Sequence, residues 1–175
     1  MFVPPHNPDF EAPSGSKPPL IVNIHGGPTS HGSAGLHLDA QYYTSRGYAY
    51  CYVNHSGSTG YGRQYREELS YSWGLKDCED TVSCIKYLSS KGLIDGSKVR
   101  ITGGSAGGYT TLQAMATYPK VFAAGCSLFG VGNLKALADD THKFESHYLF
   151  DLLLPDGTPR EEREKTYKER RQRSP

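Results

Sequence analysis

The sequence has no long apolar run and almost no charge imbalance, and these two absences exclude several classes of function. No stretch approaches the length needed to cross a bilayer. The first twenty residues are rich in proline and lack the apolar core of a secretory signal. Lys and Arg number 19 against 18 Asp and Glu, so a net charge of +1 gives no reason to expect a nucleic acid or a membrane surface as partner.

Cysteine is also scarce, with four in 175 residues. Cys51 and Cys126 fall in predicted strands, whereas Cys78 and Cys84 lie on one predicted helix at a spacing that places them on different faces. None has the spacing of a metal-binding motif. We interpret all four as buried, reduced thiols, and we expect no metal, no cofactor and a cytoplasmic location.

From residue 19 onwards, predicted strands alternate with predicted helices. Residues 1–18 are a polar, proline-rich lead-in, and residues 19–175 are long enough for one domain. Apolar and β-branched runs predict strands, and 3.6-residue periodicity predicts helices. The predicted strands are 18–25, 48–53, 98–102 and 121–129, and the helices between them are 36–46, 77–91 and 107–118. This order predicts an α/β fold with a doubly wound, mostly parallel sheet flanked by helices.

The helical periodicity also predicts which side chains face the sheet. Helix 77–91 should bury an apolar face, and helix 107–118 should turn Leu112, Met115 and Ala116 inward. The inward face of the first helix comprises Cys78, Val82, Ile85 and Leu88. Residues 133–140, 144–154 and 160–173 are predicted to be further helices, the last of them solvated.

A G-x-S-x-G motif formed by Gly103, Ser105 and Gly107 directly follows a predicted strand and directly precedes a predicted helix. That context is typical of a nucleophile elbow, in which a sharp turn exposes the serine hydroxyl above the sheet. Glycines flank the serine because a Cβ there would collide with the neighbouring strand or helix. The first helical amide, that of Ala106, is free to stabilise an oxyanion. The alternative is a glycine-rich turn with an incidental serine.

Four motifs in order resemble the catalytic domain of the prolyl oligopeptidase family of serine peptidases, in its acylaminoacyl-peptidase and dipeptidyl-peptidase-like branch. They are His25-Gly26-Gly27-Pro28, the segment 57–62, Trp73-Gly74 followed by Asp77 and Glu79-Asp80, and the segment 103–109. The segment 140–146 also resembles that branch. The resemblance implies an α/β-hydrolase fold and a short peptide as substrate, attacked by Ser105. It also implies an oxyanion hole made by the amides of Ala106 and of Gly27, with Gly26 as the alternative to Gly27. It implies no particular oligomeric state.

Other residues of these motifs are expected to be structural. His25 precedes the serine, whereas the base of this fold comes last in the chain, so we expect His25 to close its turn by hydrogen bonding. Asp77, Glu79 and Asp80 start a helix, where carboxylates complement the helix dipole. Trp73 is expected to be a packing anchor.

The sequence departs from the family in the acid and the histidine that should follow the serine. The later histidines are His142 and His147. Asp139 or Asp140 with His142 has the right order, but these residues are too close in sequence to lie on two strand-end loops. We therefore expect residues 19–175 to hold the N-terminal part of the catalytic domain without its acid and histidine, and to be inactive alone. The alternatives are a carboxylesterase on the same fold and a non-catalytic fragment or binding module.

Overall fold

Strands and helices alternate in the computed structural model of the protein, which describes residues 1–7, 9, 12–134, 137, 152–155 and 157–169. In chain order the elements are β1 Pro19–Ile24, α1 Leu38–Thr44, β2 Ala49–Val53, α2 Arg63–Glu67, α3 Lys76–Ser90, β3 Asp95–Gly104, α4 Ala106–Thr117, β4 Ala124–Leu128 and α5 Arg160–Glu169. The four predicted strands and the helices between them are therefore present.

The four strands form one parallel sheet in the order β2-β1-β3-β4. The chain passes from β1 to β2 on one side and then returns to β3 on the other side of β1. Ile24 pairs with Gly103, so the carboxyl ends of β1 and β3 lie side by side. In open α/β sheets, the crevice at such a switch point is where ligands bind.

Strand β1 is buried on both faces, which explains its almost continuous apolar sequence. Leu20, Val22 and Ile24 are buried in a cluster with residues of α3, α4 and β3. Ile21 points to the opposite face and packs with Ala40 of α1. Helices thus cover both faces of the sheet, as the sequence predicts.

The inward faces of the two long helices differ in how well the sequence predicts them. Helix α3 buries the four predicted residues, Cys78, Val82, Ile85 and Leu88. Helix α4 instead buries Tyr109, Thr110, Thr111 and Ala114, while Ala116 is exposed, so the prediction for Ala116 is wrong. The face of α4 is determined by its first turn, where glycines let the helix approach the sheet closely.

The edge strand β4 is largely exposed, and this corrects one prediction about cysteine. Cys51 and Cys78 are buried and Cys84 is half-buried, but Cys126 on β4 is exposed. Met115 of α4 packs so closely on β4 that a Cβ at Gly125 would overlap its sulfur. The small residues of β4 therefore allow the close helix packing that the sequence predicts.

Near the N-terminus, Phe2 forms an isolated antiparallel bridge with Tyr50 of β2. Towards the C-terminus, α5 confirms the predicted helix over residues 160–169. Most of the predicted helices 133–140 and 144–154 lies outside the described residues. None of the helices within the described ranges is long and apolar enough to cross a lipid bilayer.

Asp77 joins the start of α3 to α4 from a fully buried position. Its Oδ1 accepts a hydrogen bond of 2.7 Å from the Gly74 amide, and its Oδ2 accepts one from the Thr110 hydroxyl. Burial outweighs these bonds and raises the pKa of Asp77 from 3.8 to about 6. The predicted structural role of Asp77 is confirmed, although its main contribution is a buried link between helices.

We predict that Asp77→Asn changes how stability depends on pH. Because the folded pKa of Asp77 is raised, the stability that it contributes is present below about pH 4 and lost as the pH rises through about 6. Asparagine cannot ionise, and its side-chain oxygen can still accept the hydrogen bond from the Gly74 amide. Relative to wild type, the free energy of unfolding of Asp77→Asn should therefore rise by up to about 3 kcal/mol between about pH 4 and pH 7.

Urea unfolding at several pH values measures this difference, and Glu79→Gln, at an exposed carboxyl in the same helical turn, is the matched control. Parallel pH curves for wild type and Asp77→Asn would contradict the prediction.

Candidate active site

Ser105 is the single residue between β3 and α4. Its backbone has φ 55° and ψ −119°, a left-handed conformation that costs about 1–3 kcal/mol for a residue other than glycine. Its amide donates to the Leu128 carbonyl and its carbonyl accepts from the Tyr109 amide, both at 3.1 Å. The side chain is exposed and makes no capping hydrogen bond to α4. The bend is thus held through the backbone while the hydroxyl faces solvent, which is the geometry of a nucleophile elbow.

The two glycines of the motif allow backbone contacts that a side chain would block. A Cβ on Gly103 would lie 2.5 Å from the Gly107 oxygen and 2.8 Å from the Ile24 oxygen. A Cβ on Gly107 would overlap the same Ile24 oxygen. Because these obstacles are backbone atoms of the central strand and of α4, they cannot move aside. The sequence-based reason for both glycines is confirmed.

The turn that follows β1 lies directly against the elbow. A Cβ on Gly26 would be 3.7 Å from the Ser105 Cβ. Gly27 comes next at φ 122°, on the exposed side of the turn. Across from this turn, Ala106 is the first residue of α4, and the amide of a first helical residue has no acceptor within its own helix. Ser105 and Ala106, at the start of α4, therefore adjoin the loop after β1 that carries Gly27, at the switch point of the sheet.

His25 fixes the orientation of this turn. Its ring nitrogen Nδ1 lies 2.8 Å from the Gly26 oxygen. A carbonyl oxygen can only accept, so Nδ1 carries the proton. In a planar trans peptide the C=O and the N–H point in opposite directions, so holding the Gly26 oxygen also directs the Gly27 N–H. The prediction that His25 closes the turn by hydrogen bonding is confirmed.

The other side of the His25 ring is also occupied. Nε2 lies 2.8 Å from the Ser58 hydroxyl, which donates to it. Burial lowers the pKa of His25 to about 4, so the ring is neutral at neutral pH. His55 stacks on it with ring centroids 4.5 Å apart and an interplanar angle of 18°, and burial lowers the pKa of His55 as well. Two stacked neutral rings therefore support the turn.

Ser58 and His55 are site residues that sequence reasoning missed. Ser58 belongs to one of the family-like motifs, but nothing in the pattern indicates that its hydroxyl meets His25. It is fully buried, although it lies outside the strands and helices. No signal in the sequence points to His55.

Trp73 is buried and packs on Tyr109 with ring centroids 4.7 Å apart, which confirms its predicted role as a packing anchor. Asp139, Asp140, His142 and His147, whose pairing the sequence disfavours, lie outside the described residues. Within the described residues, no three His, Cys, Asp or Glu side chains are grouped so that they could hold a metal ion.

The sequence profile of the prolyl oligopeptidase family matches residues 35–175 of this chain. The chain belongs to the prolyl oligopeptidase family. It is 32% identical over 142 residues to dipeptidyl aminopeptidase BIII of Pseudoxanthomonas mexicana, covering 81% of this chain and 21% of that protein. The resemblance to this family is therefore confirmed, and the chain is related to serine peptidases of the prolyl oligopeptidase type.

Solved structures show the same fold. A Mycobacterium tuberculosis puromycin-hydrolyzing peptidase matches 96% of this chain with a TM-score of 0.87 and 46% identity, over 25% of its own length. Pyrococcus horikoshii acylaminoacyl peptidase matches 92% with a TM-score of 0.76 and 26% identity, over 26% of its length. The predicted α/β-hydrolase fold is thus confirmed. The chain spans about a fifth of the length of the curated prolyl oligopeptidase relatives that it matches first.

We predict that two adjacent glycines of the elbow tolerate alanine very differently. Gly103→Ala places a methyl group against backbone atoms and should lower the free energy of unfolding by about 2 kcal/mol or more. At Gly104 the nearest atom to the new Cβ is Cε2 of Phe129, at 3.0 Å, in a ring that is 85% exposed and can move aside. Gly104→Ala should therefore cost less than about 1 kcal/mol.

Urea unfolding of the two variants beside wild type measures both values. Similar losses in the two variants would mean that the elbow is not packed against β1 as described.

Proposed function

We propose that this chain carries the nucleophile and the oxyanion hole of a serine peptidase that hydrolyses short peptides through an acyl-enzyme on Ser105. The observation that carries the proposal is the exposed Ser105 side chain on a strained one-residue bend. The turn after β1, at Gly26, packs directly against this serine. The names of the relatives support peptides as the substrate class. They include acylamino-acid-releasing enzymes, and a solved puromycin hydrolase mutant is complexed with PGG.

The reaction follows from this arrangement. The Ser105 Oγ attacks the carbonyl carbon of the scissile bond and loses its proton to a base. Negative charge develops on the carbonyl oxygen, where the amides of Ala106 and Gly27 would stabilise it, each donor by about 3 kcal/mol. Loss of the amine leaves an ester on Ser105, which water then hydrolyses. These steps need neither a metal nor a cofactor.

The base of this reaction is not His25. The Nε2 of His25 already accepts a hydrogen bond from the Ser58 hydroxyl, and burial lowers the pKa of His25 to about 4. His25 is therefore a poor proton acceptor at neutral pH. We therefore propose, as the sequence predicts, that neither the acid nor the histidine lies within residues 19–175. Without them the serine stays protonated, and the loss in rate is on the order of 10⁴ to 10⁶. We also propose, from the reduced cysteines, that the protein is cytoplasmic.

We predict that a fluorophosphonate labels Ser105 in the native protein isolated from its own cells. Labelling of the purified 175-residue chain should be slower by a factor on the order of 10³ or more, because no base activates the hydroxyl. Mass spectrometry of the labelled peptides gives both the site and the rate.

Ser105→Ala should abolish labelling, whereas Ser83→Ala, at an exposed position on α3, is the matched control and should leave it unchanged. Labelling of another serine in the native protein, or none at all, would contradict the role of Ser105. Equally fast labelling of the purified chain would contradict the proposed source of the base.

We predict that the native protein cleaves a blocked aminoacyl nitroanilide and loses this activity with Ser105→Ala. A carboxylesterase would have the same elbow, so turnover of a p-nitrophenyl ester is measured in parallel. Turnover of the ester without any turnover of the nitroanilide would favour the esterase and contradict the peptidase proposal.

A further inference from the structure

Phe129 is a strained and exposed residue directly after β4. Of the described residues other than glycine, three have a positive φ, namely Tyr71, Ser105 and Phe129. The φ of Phe129 is 41°, in a region that is unfavourable for a bulky side chain and that glycine occupies without strain. Phe129 is also 85% exposed, so its ring gains little from burial. The packing of the described residues therefore does not explain a phenylalanine at this position.

The sheet fixes the position of Phe129 relative to the candidate nucleophile. Leu128 of β4 pairs with Gly104 of β3, and the Leu128 carbonyl accepts a hydrogen bond of 3.1 Å from the Ser105 amide. Ser105 and Phe129 thus each follow the last residue of two neighbouring parallel strands, and both have a positive φ. Strained residues of this kind cluster at functional sites.

The ring of Phe129 lies next to Gly104. A Cβ on Gly104 would be 3.0 Å from Cε2 and 3.2 Å from Cζ of this ring. Because Gly104 has no side chain, the ring has room directly beside the elbow. The ring therefore presents an exposed apolar surface at the strand end that adjoins Ser105.

The two sides of Ser105 are not equivalent. On the side of β1, the Gly26 turn packs against the serine, since a Cβ on Gly26 would be 3.7 Å from the Ser105 Cβ. A base that takes the Ser105 proton and passes it to the leaving amine must approach from a side that this turn does not occupy. The leaving part of the substrate must lie within reach of that base. This places it towards β4, where Phe129 is.

We propose that Phe129 is a specificity residue whose ring contacts an apolar side chain on the first substrate residue after the scissile bond. This inference rests on the proposed peptidase function. Contact between the ring and an apolar side chain removes both surfaces from water, so peptides with phenylalanine at that position react faster than those with glycine. The residue departs with the amine. The contact therefore favours formation of the acyl-enzyme and has no effect on its hydrolysis.

The test uses the native protein and two series of short blocked peptides. In the first series only the residue after the scissile bond changes, from glycine to phenylalanine, and in the second only the residue before it changes in the same way. We expect the wild type to cleave the phenylalanine member of the first series about tenfold faster, measured as kcat/KM. Phe129→Ala should reduce this ratio to within about twofold and leave the ratio of the second series unchanged.

Variants separate the ring from the backbone. Phe129→Gly removes the ring and also relieves the strained φ, so it should lower the first ratio as far as Phe129→Ala does. Tyr87→Ala, at an aromatic residue of α3 that is 59% exposed, is the matched control and should leave both ratios unchanged. Thermal unfolding establishes that each variant is folded, and Phe129→Gly decides the outcome if Phe129→Ala does not fold.

The outcomes distinguish this inference from the proposed function. If Ser105→Ala leaves cleavage of both series intact, the proposed function is wrong and the inference fails with it. If cleavage depends on Ser105 but the first ratio is the same in wild type and Phe129→Ala, only the inference is overturned. An equal loss on every peptide, as expected if the ring packs against the part of the native protein that carries the base, would also overturn it. So would a change confined to the second series.

Discussion

The contact between the start of α4 and the carboxyl end of β1 is the constraint on which the site depends. The Gly107 backbone lies so close to the Ile24 oxygen that no side chain fits between them. This contact forces the chain to turn from β3 into α4 within one residue, and Ser105 takes a left-handed conformation as a result. Its hydroxyl is then directed to solvent beside the loop that leaves β1. The free energy cost of the strained bend is offset by packing of the central strand on both of its faces.

A second group of residues orients the other half of the site. The hydrogen bonds from Ser58 to His25 and from His25 to the Gly26 oxygen lead from a buried loop to the peptide between Gly26 and Gly27. Burial lowers the pKa of His25, with a smaller contribution from the stacked ring of His55, so the His25 ring is neutral, its Nδ1 donates and its Nε2 accepts. The turn is thus positioned by uncharged groups, and the His25 ring is already bonded on both sides.

The sequence predicts those parts of the fold and site that depend on local patterns. The apolar run of β1 predicts a strand buried on both faces, and the motif around Ser105 predicts the elbow because strand, glycines and helix are consecutive. Features set by tertiary contacts are not predictable in this way. The inward face of α4 follows from its close approach to β1 and from the bond between Thr110 and Asp77, so periodicity assigned Ala116 wrongly. The contact of Ser58 with His25 joins distant segments and leaves no local signal.

The most direct test of the elbow and the oxyanion hole is a crystal structure of the native protein with a phosphonate bound covalently to Ser105, since the adduct has the tetrahedral geometry of the intermediate in the proposed reaction. We predict a positive φ at Ser105 and a phosphonyl oxygen within about 3 Å of the amide nitrogens of Ala106 and Gly27. A phosphonyl oxygen that faces solvent, away from both amides, would contradict it.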